Sequence, residues 1–216
     1  MPLLFFALVL LAVEPGNLRA DTLDRVVVSV GNTGITESEI EQEARFTLFL
    51  DGRPQPSDLS QSELQAARDR LIERTLLQEE AAAEDSDASG LNQEANRLLN
   101  EVRNLYPDEG QYRAALQAVG YTQAEAHLRL VENVRIVRLI NRRLQPNAWV
   151  NQREIETYYR ETFVPEHERK EKTPPPSLEE VGSLIREILV QQEVDQLLDE
   201  WIREIQTTRR VRIHSQ

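Results

Sequence analysis

The 216-residue chain contains no cysteine. That excludes disulfide bridges, thiol nucleophiles and cysteine-based zinc sites together. Histidine is nearly as scarce. His127, His167 and His214 stand far apart, each reading first as an ordinary exposed histidine and only second as a ligand or general base. With eight glycines there is no Gly-rich phosphate loop, and neither G-x-S-x-G nor H-E-x-x-H occurs. Positive charge is in deficit, 25 Lys and Arg against 37 Asp and Glu, for a net charge of −12. Such a balance argues against a phosphate-binding, nucleic-acid surface and favours solubility. Long apolar runs are missing too: residues 3–13 form the longest, too short to span a bilayer.

That run has a second meaning. Small Ala20 follows Asn17-Leu18-Arg19, and charged sequence begins at Asp21. Residues 1–20 therefore read as a secretory signal peptide cut near Ala20, with an uncleaved anchor as the alternative. Either way the remainder is expected outside the cytoplasm.

What is present is mainly helical. Val26, Val27, Val28 and Val30 are β-branched and precede the turn Gly31-Asn32-Thr33-Gly34, so a small hairpin opens the mature chain. Thr36 with Glu39, and Ile35 with Ile40, then form a capping box and hydrophobic staple for a helix over 37–50. Apolar spacing predicts further helices over 60–84, 91–105, 111–119 and 122–144, with residues 85–90 as a break. The apolar residues of 122–144 cover more than one face, as in a central, mostly buried helix. Residues 150–155 repeat the staple-and-box pattern and lead into Tyr158-Tyr159. "TFVPEHERKEKTPPP", 162–176, holds both lysines and four of ten prolines, and reads as extended and solvated. Ser177 and Glu180 cap a last helix, and alternation over 208–213 predicts a strand. A lone hairpin is marginal in water, so this terminal strand is its natural partner.

The order "DRVVVSVGNTGITESEIE", "LIERTLLQEEA", "ALQAVGYTQAE", "VNQREIETYYRE" and "PSLEEVGSLIREILVQQEVDQLLDEWIREIQTTRRVRI" resembles the SurA-type periplasmic chaperones, a family of parvulin-like peptidyl-prolyl isomerases. The resemblance implies a mainly α, SurA N-terminal-like domain, its amino-terminal helices and carboxy-terminal helix and strand forming one core. Its parts would be a signal peptide (1–20), a helical core (21–161), a linker (162–176) where the family inserts isomerase domains, and a closing helix and strand (177–216). Fifteen residues cannot hold a separate domain, which needs roughly 50. No catalytic residue is therefore carried over, and the expectation is a non-enzyme without cofactor or metal.

The resemblance further implies a periplasmic chaperone for unfolded outer-membrane or secreted polypeptides. Nucleic acid and small-molecule substrates are not expected. A structural adaptor or strand-swapped homodimer, and a minimal isomerase, are the competing readings. Phe46, Phe49, Tyr112 and Tyr121 lie on short helices beside breaks, where they either line an apolar client-binding groove or fill the core. Trp201, Tyr158 and Tyr159 read as core and rim. Arg135, Arg138 and Arg142 share a helix face, serving an acidic partner or pairing with neighbouring Glu. Glu79, Glu80, Glu84, Asp85 and Asp87 read as an exposed acidic helix end.

Overall fold

The computed structural model describes residues 24–83 and 88–214; the expected signal peptide lies outside them. Strands β1 (Val26–Val30) and β2 (Thr33–Thr36) form the hairpin, and β3 (Val211–Ile213) closes on the other side of β1. All pairs are antiparallel, in the order β2-β1-β3. Gly31, at φ +57°, supplies the left-handed residue that so tight a turn requires. Val28 stands between Ile35 and Ile213, and Val30 between Thr33 and Val211. This register sends Val28, Val30 and Ile35 inward, where they are buried.

The helices are α1 (Glu37–Leu50), α2 (Gln61–Ala83), α3 (Ala88–Asn104), α4 (Glu109–Val119) and α5 (Gln123–Leu144), then α6 (Gln152–Tyr158), α7 (Val164–Lys170) and α8 (Leu178–Thr208). Their starts repeat one device. Thr36, Thr122, Asn151 and Ser177 each accept the amide three residues on, while Glu39, Glu125, Glu154 and Glu180 bond back to the capping residue's amide. Ser60 and Glu63 do the same before α2. Gly120, at φ +80°, ends α4 in the left-handed conformation.

Three apolar clusters follow. The first joins the sheet to α2, Ile40 and Ala44 of α1, the end of α5, and Val194, Trp201, Ile202 and Ile205 of α8. The second gathers α3, α4, Phe46 and Phe49 of α1, and the first half of α5. Val150, Ile155, Val181 and Ile185 make the third, where α6 meets the start of α8. Thus α1 and α5 run through the first two clusters and α8 ties the first to the third, the central role expected of residues 122–144. Leu128 and Val137 are the exceptions on α5, both exposed.

Three expectations need correction. The segment 162–176 is not extended throughout: a π turn over Tyr159–Phe163 carries the chain from α6 into α7. Pro165 sits in the first turn of α7, directly after that π turn. Phe163 stacks between Tyr159 and His167, and Lys170 reaches Glu166 at 3.3 Å. Residues 171–176 remain non-helical. Next, α3 begins at Ala88, so Gly90 is helical rather than part of the break. Finally, Thr208 still belongs to α8, shortening the strand to three residues.

Candidate functional site

The four aromatic candidates come together, but inward. Phe46, Phe49 and Tyr112 are at most 1% exposed, and only Tyr121 is half-buried. With Tyr106 they pack ring against ring, partly stacked and partly edge to face, at centroid distances of 5.3–6.0 Å. Tyr106 donates its hydroxyl to the Phe49 carbonyl at 2.8 Å, and burial pushes that phenol up to about 12. These rings are the centre of the second cluster, and the expected client groove at them is corrected. The reason is spacing: Phe46 and Phe49, three apart on α1, share the face that α4 covers.

Next to them lies a group missing from the sequence reading. Glu43 Oε2 receives Arg74 Nη1 at 2.7 Å and Arg129 Nη2 at 2.6 Å, with side chains only 10%, 19% and 11% exposed. Burial holds the Glu43 carboxyl above its usual range, with Arg74 and Arg70 pulling the other way. Burial likewise lowers Arg74, partly offset by Glu43. The ions tie α1, α2 and α5 together, and Arg129 also stands 5.9 Å over the Phe46 ring. Its sequence signal was Glu43 itself, midway at threes between Ile40 and Phe46 on the apolar face of α1.

The remaining polar candidates are occupied within the fold, except His127, which is half-buried rather than exposed and whose Nε2 is enclosed without a hydrogen-bond partner. Arg135 reaches Glu132 at 3.4 Å and Arg138 reaches Glu94 at 2.9 Å, the pairing alternative for that stripe. Glu79 and Glu80 both engage Arg209, while residues 84–87 lie outside the described part. His214 is hydrogen-bonded to Ser29 at 2.8 Å, and His167 to the Thr173 carbonyl at 3.1 Å. Among the described residues no three His, Asp or Glu side chains are placed to hold a metal ion.

One of several clefts open on the described residues, of about 350 Å³, lies at the sheet's end, where α1 and α2 begin. Val27, Ile40, Leu64 and Ile213 make its apolar lining, and Arg25 and Arg68 are the cations on it. Arg25 is joined to Glu37 at 3.0 Å. With Glu37 and Glu41 also on the lining, this mixture of apolar and charged groups suits an apolar side chain carried on a polar backbone. Ile213, 59% exposed, projects beside it from β3. Sequence spacing gave no sign of this site, since β1, α1 and α2 supply most of its lining and the β1–β3 pairing adds Ile213 and His214. No protein-family model matches the chain, and no curated protein matches it.

Proposed function

We propose that this protein is a SurA-type periplasmic chaperone without isomerase activity, which transiently holds unfolded outer-membrane or secreted polypeptides. The observation that carries this reading is the pairing of β3 with β1, which brings both ends of residues 24–214 into one sheet. That is the arrangement the motif order implies, and where the isomerase domains would stand, α7 and a short proline-rich segment bridge α6 to α8. The holding surface is assigned to the cleft and not to the buried aromatics. A shallow, partly apolar site of that kind shields exposed segments weakly and with broad sequence tolerance. The acidic remainder keeps a loaded complex soluble.

The test is dilution of a urea-unfolded outer-membrane barrel protein into buffer containing the chain. Light scattering is expected to fall as the chain approaches equimolar amounts. Undiminished scattering at several-fold excess contradicts the proposal. A proline-peptide assay in the same buffer is expected to show only the slow uncatalysed isomerisation.

A further inference from the structure

Two hydrogen bonds fix the phase of the β1–β3 ladder. Gly31 N–H donates to the Arg210 carbonyl at 3.1 Å, and His214 N–H donates to the Val27 carbonyl at 2.9 Å. Bonded pairs alternate in an antiparallel ladder. Arg210, Arg212 and His214 therefore turn their backbone groups towards β1, and Val211 and Ile213 turn theirs away. Among the described residues β1 is the single strand neighbour of β3. Open edges are usually covered, bulged or guarded, because their free groups template another strand. This one is held in place by Arg209, at the end of α8, which Glu79 and Glu80 grip from α2.

The faces of the edge differ in chemistry. Val211 and Ile213 lie on the side of Val28 and Val30, and Ile213 borders the cleft with Leu64 and Ile40. Arg210 and Arg212 lie on the other side, both exposed, as is His214. In a chain of net charge −12 this is a local concentration of positive charge. A strand laid along β3 would thus set alternate side chains against an apolar surface and against two arginines.

We infer that the outer edge of β3 takes an extended segment whose side chains alternate between apolar and acidic, adding a fourth strand to the sheet. The identity of the partner as an unfolded client rests on the chaperone reading above; the edge chemistry does not. The backbone bonds supply sequence-tolerant affinity, and the alternation supplies the preference.

The probe is a labelled peptide of alternating valine and glutamate, with a valine and lysine peptide as its counterpart. Binding to the purified protein is followed by fluorescence anisotropy and by amide exchange. The glutamate peptide is expected to bind and to slow exchange at Val211 and Ile213, while the lysine peptide binds about tenfold more weakly. Ile213→Pro removes an outward donor and leaves the inner ladder intact, so it is expected to cost about tenfold in affinity. Ile213→Thr, which keeps the amide, should cost less, and Arg212→Glu, which leaves Arg210 to offset one glutamate, should abolish the preference between the peptides. Circular dichroism establishes that each variant is folded. Binding indifferent to Ile213→Pro, protection confined to other amides, or no binding overturns the inference. Should Ile213→Pro abolish peptide binding while suppression of aggregation is unchanged, the edge stands as a binding site and its assignment to the client is overturned. Peptide binding at the edge without any suppression of aggregation overturns the chaperone reading alone.

Discussion

At the scale of single residues, Glu43 bears the most consequence. Its one oxygen accepts from two guanidinium groups in a nearly closed interior, where Arg129 Nε is left without a partner. Removing one member of such a group leaves charge without compensation, so Glu43→Ala is expected to cost about 3–5 kcal/mol. Urea unfolding checks this, and a loss below about 1 kcal/mol, the size of an exposed pair, would contradict it. The cap carboxylates predict a pH response. Hydrogen bonds from the capping residues Ser60, Thr122 and Ser177 hold Glu63, Glu125 and Glu180 below their ordinary range, and those from Gln111 do the same for Asp108. A depressed carboxylate contributes stability at neutral pH, and loses it as pH falls through its ordinary range and then its folded value. Glu43, raised by burial, works in the opposite sense and favours the fold as pH falls. The urea midpoint is therefore expected to drop on acidification below about pH 4.5, and Glu125→Gln with Glu180→Gln should flatten that drop. The caps were legible because a box is local chemistry at a spacing of three. The ion group was not, because its partners lie 31 and 86 residues from Glu43.

At the scale of elements, the stretch from α6 to α8 is where composition misled. Four prolines and two lysines suggest a solvated linker, yet Pro165 lies within α7, directly after the π turn. Tyr159, Phe163 and His167 then form a ladder along the turn and α7, with centroids 5.8 and 6.2 Å apart. The proline-rich segment runs back across it. Tyr159 donates its hydroxyl to the Pro176 carbonyl at 2.8 Å, and the Thr173 carbonyl meets His167. Proline fixes φ, and each residue before a proline is pushed to extended backbone, so residues 173–176 arrive already shaped for this contact. Tyr159→Phe keeps the stack and removes the hydroxyl bond. It is expected to cost about 1 kcal/mol and to speed amide exchange at the start of α8. Unchanged exchange there would show that the segment is held without Tyr159.

At the scale of the whole molecule, the fold is three apolar clusters joined by long helices, with one small sheet gathering the ends. Helix periodicity anticipated the long helices but not α7, and the alternation of the last residues anticipated β3. The assignment of Phe46, Phe49 and Tyr112 to cluster or groove was left open, since spacing shows which residues share a face and not what covers it. The cleft could be found only after α1 and α2 had packed against the sheet that β3 completes. Deleting residues 209–216 uncovers one edge of β1, and the hairpin without its third strand is marginal. Slower exchange at β1 amides in the intact protein than in the truncated one is expected, and equal rates would contradict the role given to β3.

The most direct measurement uses the absence of cysteine. Val30 and Val211 face each other at a site of the ladder without mutual hydrogen bonds, where the strands approach closely enough for a disulfide. With both replaced by cysteine and mild oxidation applied, the fold described here predicts an intramolecular bond in a monomer, found by mass spectrometry after digestion. Free thiols after oxidation, or a bond joining two chains, would contradict it.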